Sequence, residues 1–384
     1  MSALVARYLP SFSLPSPYSL MTQAKSHTCS TLLKSARILE KPFWWCNQEL
    51  TRAAVRPLEG NFGERAAWAF LALSAVPVSL TCGIISLIPR SMALYLQNES
   101  FTYCKGEAKE KNLSGNSFSL LTLNACCMPG GLPFLFGGMT PASERVDKIA
   151  EKILQEDADV VCLQEIHDEQ AAFKLIEGLK HCYAHFYFNI GPLIAGQNSG
   201  LFIASKYATE QPSFTAFNSF EGKQRFVNKG FFDFFIKNQD RRIAHIFNTH
   251  LQPSKIDTQP TPAEKIAREK QLKQMMEKVN KFSKEIPLQL MTGDFNIIAG
   301  SEEYKSSLIS KELQDISSEV TSGTWSEAFE NKDRAHVFLK LDYTLLKGSS
   351  TTASCKTKLV SSFDLNKPKE ALSDHHGLIT VVNF

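Results

Sequence analysis

Hydrophobic and polar positions divide the chain at about residue 116. Beyond it, short apolar runs bounded by turn residues predict strands at 119–124, 160–163, 200–204, 231–236, 244–249, 288–292, 340–346 and 378–382. Helical spacing marks Ser143 to Gln155, where Val146, Ile149, Ala150 and Ile153 share one face and Ser143 is a candidate cap. Ala171 to Leu179 also reads as a helix, and Pro262 to Phe282 as a charged amphipathic one. Strands outnumber helices, and helices interrupt them irregularly. That pattern favours a layered α/β sandwich with helices outside over a doubly wound sheet.

The first part of the chain is different. Residues 1–65 lack periodicity, and Pro10, Pro15 and Pro17 break their start. No basic start followed by a sustained apolar run is present, so no signal peptide is expected. Phe43-Trp44-Trp45 forms an aromatic cluster, either a packing patch or an interfacial anchor. Residues 66–89 carry no charge and are bracketed by Arg65 and Arg90. A spanning helix needs about 20 apolar residues, so this stretch qualifies. Three readings fit it: a membrane helix, an inserted hairpin bent near Pro77, or a buried soluble helix. Arg52, Arg56 and Arg65 precede it while Arg90 and Lys105 follow, which favours a cytoplasmic N-terminus if it spans. Residues 90–115 are polar and read as a linker, leaving 116–384 as the folded domain.

Charge narrows the partners. The 384 residues hold 42 basic and 39 acidic side chains, a formal charge of +3, too balanced for an overall claim on nucleic acid. The lysines of 265–284 fit a solvated helix face, so no specific nucleic acid is expected. Phenylalanine is over-used, 27 against 9 tyrosines, and lacking a polar handle it suits an apolar surface or lipid. The nine cysteines include no C-x-x-C pair and no zinc-finger spacing, which favours reduced or buried thiols over a disulfide framework.

The candidate chemistry lies where apolar runs stop. Asn124, Glu165, Asn248-Thr249-His250, Gly293-Asp294-Phe295-Asn296, Asp342 and Ser373-Asp374-His375-His376 all adjoin predicted strands. A carboxylate or amide there is costly unless it is paired or binds a cation. If these sites converge, they offer oxygen donors and imidazoles without thiolates, a set suited to Mg²⁺ or Mn²⁺ and phosphate chemistry.

In this order the motifs resemble the endonuclease/exonuclease/phosphatase superfamily. The resemblance rests on Asn124, Leu163-Gln164-Glu165, Ser199-Gly200-Leu201, Thr249-His250, Gly293-Asp294-Phe295-Asn296, Leu341-Asp342-Tyr343 and Ser373-Asp374-His375. It implies a four-layered α/β sandwich, DNase I-like, with Mg²⁺-dependent cleavage of phosphodiesters or phosphomonoesters. Within it, Asp159 to Glu165, Asn198 to Tyr207, Asn228-Lys229-Gly230 and Thr249 to Gln252 are similar to the membrane-associated neutral sphingomyelinases of the type 2 group. So is the layout of apolar region, linker and domain. Three departures stand out. Gln224, with Glu221 nearby, occupies the place of the group's switch Asp. One apolar segment replaces two. The span from Asn296 to Asp342 is short.

The resemblance implies sphingomyelin hydrolysis to ceramide and phosphocholine at a membrane. Glu165 becomes the chief Mg²⁺ ligand, with Asn124 helping to hold metal or phosphate and Asp374 supporting the metal or His375. His375 becomes the general base and Asp342 its orienting carboxylate. Asp294 and Asn296 position water and phosphate, and His250 stabilises the pentacovalent state or assists the leaving oxygen. His376 competes with His375 on sequence alone. Lys229 is a weaker candidate, a phosphate contact or a solvated lysine. The apolar Gly/Pro-rich stretch 128–138, with Phe134 and Phe136, is read either as a lipid-dipping loop or as part of the core. The alternatives are a phosphoinositide or phospholipid phosphatase, and a nuclease of the same superfamily.

Overall fold

The computed structural model describes residues 28, 31–32, 35–36, 38–43, 45–46, 62–96, 100–112, 116–128, 132, 138–193, 197–239, 241–254, 259–282, 286, 288–308, 313–347 and 354–384. Strands β1 (Thr102–Lys105), β2 (Ser117–Asn124), β3 (Val160–Gln164), β4 (His185–Phe188), β5 (Phe202–Ser205), β14 (Ser354–Val360) and β15 (Gly377–Asn383) form one sheet, in the order β1-β4-β5-β3-β2-β15-β14. A second sheet runs β10-β13-β9-β8-β7-β6, from Leu313–Asp315, Asp342–Lys347, Gln289–Asp294, Arg241–His250, Gly230–Asn238 and Thr209–Ala216. β11 (Trp325–Ser326) and β12 (Phe338–Leu339) pair separately.

Side-chain alternation explains how the layers stack. Along β2, Phe118 and Leu120 enter the core between the sheets, while Leu121 and Leu123 face the opposite way. Along β3, Val160 and Cys162 point inward between the sheets and Val161 and Leu163 outward. The outward row packs on α2 (Ala142–Glu156) and α3 (Glu169–Leu179). On the far side, Phe231 and Phe247 meet Leu272, Met275 and Val279 of α4 (Pro262–Phe282). A short α5 (Glu302–Ser307) completes the helices here. The result is helix, sheet, sheet, helix: the expected four-layered sandwich.

Phe232 and Phe234 fill the inter-sheet core, and Phe231, Phe235 and Phe247 are fully buried too. Each buried ring contributes roughly 1.5–3 kcal/mol. Much of the phenylalanine surplus is therefore core rather than lipid-facing surface.

The structure corrects three local expectations. Ser143 does not cap α2: the helix begins at Ala142 after Pro141, with no side-chain cap. The stretch 90–115 is not all linker, because β1 pairs antiparallel with β4. Phe101 is buried there against Tyr187 and Phe232. Nor does the apolar segment bend into a hairpin at Pro77; α1 (Phe62–Leu96) is one continuous helix.

The part of α1 from Leu73 to Leu96 is long and apolar enough to cross a membrane, and only 11% of its apolar window is buried. Phe70, Val78, Ile84, Ile88 and Tyr95 are all exposed on it, so it is not a buried core helix. Glu40 accepts hydrogen bonds from Ser86 and Arg90 of α1 (3.2 and 3.0 Å). Trp44, Phe134 and Phe136 lie outside the described residues, so the aromatic cluster is seen in part and the loop reading is untouched.

Candidate active site

Strand register gathers the scattered motifs. Parallel pairing of β2 with β3 sets Asn124 beside Gln164, so Glu165 follows at the same sheet end. In the other sheet His250 and Asp342 both pair with Asp294. The two ends meet where Asn124 Nδ2 donates to Glu165 Oε1 and Asp294 Oδ2, both at 3.1 Å. Beneath them Gln164 donates to Asn248 Oδ1 (2.7 Å), which ties the sheets together. Glycine makes the close approach possible: a Cβ on Gly293, which sits at φ +133°, would lie 2.0 Å from the Thr249 carbonyl. Glu165 and Asn296 take left-handed φ values of 61° and 52°, which turn their side chains out of the strand pattern.

His375 Nδ1 lies 2.8 Å from Asp342 Oδ2, and its Nε2 faces Asn124 Nδ2 at 3.4 Å and Asp294 Oδ2 at 3.8 Å. Burial alone depresses this imidazole, but the Asp342, Asp374 and Asp294 carboxylates outweigh it and hold its pKa well above the ordinary value. His376 turns away: its Nδ1 accepts from the Ser362 N–H (3.1 Å) and its ring stacks on Phe363 at 3.8 Å. Of the two histidines, only His375 faces the carboxylates.

His250 Nε2 is 3.5 Å from Asp294 Oδ2 and 4.0 Å from Glu165 Oε1. Burial, with Lys229 and the neighbouring histidines, keeps it neutral by pushing its pKa far down. Asp294 is pushed up to about 7, first by burial and then by Asp342. Glu165 is also raised, by burial and by Asp374. Lys229 is buried and brought down to about 8 by that burial, opposed by Glu165 and Asp294. It is therefore not a solvated lysine, and its charge acts on Glu165 and Asp294. Asn296 donates its N–H to Asp294 Oδ1 (2.9 Å). Gln224 and Glu221 lie on a surface turn around Gly222–Phe226, where Glu221 is exposed and its N–H donates to Gln252 Oε1 (3.0 Å).

The donor set fits a hard cation. Asp294, Asp342 and His375 place ligand atoms within 4.8 Å of one another. Burial, and then repulsion from Asp374, raises the pKa of Glu165, and among the described residues the buried Asp342 Oδ1 has no hydrogen-bond partner. Positive charge would relieve all of this. Asn124 presents its amide nitrogen to the carboxylates while its oxygen accepts from the Cys126 N–H (3.1 Å). That orientation suits a phosphoryl oxygen better than a cation.

Several supporting residues escaped the sequence reading. Trp325 Nε1 donates to Asp374 Oδ2 (3.3 Å). Thr324 Oγ1 accepts from the backbone of Leu341 and Asp342 (3.0 and 3.2 Å). Glu330 is pushed up to about 8 by burial and by Asp374 and Glu165. Thr324 and Glu330 lie outside strands and Trp325 in a two-residue strand, too short for a periodicity to mark any of them. Beside the site, a cavity of about 450 Å³ opens between the end of α1 and the loop after Glu165, lined by Trp45, Arg90, Leu94, His167 and Asn198 among others.

Comparison with known proteins gives the family and the fold. The model of the endonuclease/exonuclease/phosphatase family matches residues 121–375. The chain is similar to sphingomyelin phosphodiesterase 5 of Danio rerio, 29% identical over 154 residues, which cover 36% of this chain and 28% of that protein. It is also similar to a sphingomyelinase C of Leptospira interrogans, 28% identical over 220 residues (51% of this chain, 38% of that protein). The matches thus span about a third of the length of these curated relatives (28% and 38%). Among solved structures, a magnesium-bound Staphylococcus aureus beta toxin variant superposes with TM-score 0.55 at 20% identity, covering 69% of this chain and 99% of that one. Truncated TDP2 of Caenorhabditis elegans gives 0.51 at 18%, covering 70% and 98%. At such identities these likenesses establish the fold.

Proposed function

We propose that this chain, which belongs to the endonuclease/exonuclease/phosphatase family, is a divalent-metal-dependent phosphodiesterase that releases phosphocholine from sphingomyelin at a membrane surface. The observation that carries the reading is the buried His375–Asp342 pair, which faces a pocket of hard donors across Asn124. The substrate class draws on the similarity to the named sphingomyelinases and on the exposed apolar surface of α1.

Glu165, with Asp374 beside it, would hold Mg²⁺ or Mn²⁺. When bound, the cation supplies the positive charge that offsets charge on the phosphoryl oxygens. The chain's own groups supply the rest. In its neutral form His375 takes the proton of the attacking water at Nε2, while Nδ1 keeps its own proton and donates a hydrogen bond to Asp342. The water oxygen bonds to phosphorus as the bond to the ceramide oxygen breaks. His250, neutral and with Nε2 toward Asp294, can donate a hydrogen bond to that departing oxygen, which takes its proton from solvent as His375 returns its own to solvent. Asn124 Nδ2 and Lys229 contact phosphoryl oxygens, and Asp294 with Asn296 holds the water and phosphate in line.

The test is phosphocholine release from sphingomyelin vesicles by the purified chain, with Mg²⁺ and with EDTA. Phosphatidylcholine, a phosphoinositide and single-stranded DNA run in parallel. Mg²⁺-dependent release from sphingomyelin is expected. Metal-dependent cleavage of another substrate alone would transfer the function to a phosphatase or nuclease. No metal-dependent cleavage of any of them would overturn the reading.

A further inference from the structure

We infer that Arg145, which lies outside the catalytic set, is a positioning residue that fixes Asn124 relative to Asp374 and His375. The inference rests on the functional reading above.

Arg145 stands in the first turn of α2 and is 3% exposed. A buried guanidinium is costly unless its donors are satisfied. Among the described residues, its hydrogen-bond partners are four backbone carbonyls. Nε donates to Thr140 (2.8 Å), Nη2 to Cys126 (2.6 Å), and Nη1 to both Ala125 (3.2 Å) and Leu372.

These carbonyls belong to the segments that carry the chemistry. Ala125 and Cys126 directly follow Asn124. Cys126 has a left-handed φ of 47°, and its N–H holds the Asn124 side-chain oxygen. That bond aims the Asn124 amide nitrogen at Glu165 and Asp294. Leu372 precedes Ser373, whose Oγ donates to the Asn124 carbonyl (2.5 Å) and accepts from the His375 N–H (3.1 Å). Arg145 thus ties the exit of β2 to the segment entering β15. It does so from a helix whose Val146, Ile149 and Ile153 are locked in the core.

A planar fork with five donors can span carbonyls on two chain segments; an ammonium on a flexible stem cannot. Arg145→Lys keeps the charge and most of the volume but releases at least one segment. A misplacement of about 1 Å at a reacting centre costs on the order of 10²-fold in rate. The expected result is therefore a fall in kcat of about 10²-fold with KM changed little.

Stability must be separated from positioning. Leu175→Ala, which cuts a fully buried α3 side chain, supplies a comparably destabilised control away from the site. Both variants are compared with the parent for kcat, KM, Tm and the His375 Nδ1–H proton resonance in histidine-labelled protein. Arg145→Lys should lose kcat and shift that resonance, while Leu175→Ala should lower Tm with kcat and resonance unchanged. Equal kcat at matched Tm and an unmoved resonance in Arg145→Lys would overturn the inference. If the parent cleaves none of the offered phosphodiesters, the functional reading fails, and the resonance still reports on the clamp.

Discussion

The dependence of His375 on Asp342 can be tested by a double-mutant cycle. The perturbations are Asp342→Asn, His375→Ala and both together. In the structure Nδ1 of His375 and Oδ2 of Asp342 are 2.8 Å apart and both residues are buried. A hydrogen bond to a charged acceptor is worth about 1.5–3 kcal/mol. At about 1.4 kcal/mol per decade, its loss lowers kcat by about 10–10²-fold. Removing the base itself costs about 10²–10⁴-fold. Because Asp342 acts through His375, the double variant should be no slower than His375→Ala alone.

The pH profile supplies a second readout. Burial lowers the His375 pKa while Asp342 is the largest influence raising it. Asp342→Asn therefore lowers that pKa, and a base that works when neutral then becomes active at lower pH. The acid limb of kcat should move down. The assay is metal-dependent phosphocholine release from sphingomyelin in mixed micelles, across pH. Losses that multiply in the double variant, or an acid limb that moves upward, would refute the reasoning.

Other consequences can be measured separately. Trp325 lies 3.3 Å from Asp374, so Tb³⁺ bound at the site should emit on tryptophan excitation; Glu165→Gln should weaken that titration by roughly 10-fold or more, and Mg²⁺ should compete. A chain beginning at residue 100 keeps Phe101 and β1, whereas one beginning at 116 loses both. The shorter chain should be less stable by about 1.5–3 kcal/mol from the buried ring alone, read by urea unfolding. His245 is fully buried beside Asp233 (2.9 Å) and Lys278, and burial holds its pKa below the ordinary value. Its contribution to stability is whole above the unfolded value of about 6.5 and is lost as pH falls through the lower folded value. His245→Gln should flatten the stability slope below that pH.

Much of the architecture was legible because it follows from local alternation. β2, β3, β8, β9 and β15 lie where apolar runs end in turn residues, and α4 spans Pro262–Phe282 as its charged amphipathic pattern requires. Edge strands were harder to see. β1 lies in polar chain and is defined by pairing with β4, and β6 is only partly buried. β1 is four residues long and β6 has no fully buried position, so neither has the apolar run that marks the central strands.

The amino-acid sequence alone determined the donor types, their place at strand ends and the apolar length of α1. Those properties depend on neighbours a few residues away. Tertiary structure decided which donors meet. Asn124 and Asp294 are 170 positions apart and touch because two parallel strand pairs end at one edge of the sandwich. It chose His375 over His376, because consecutive side chains at the entrance to a strand point to opposite faces, one toward Asp342 and the other onto Phe363. It also buried Lys229 beside Glu165 and set Arg145 against four carbonyls. Long-range register and burial create these environments, and the spacing of residues along the chain carries no record of them.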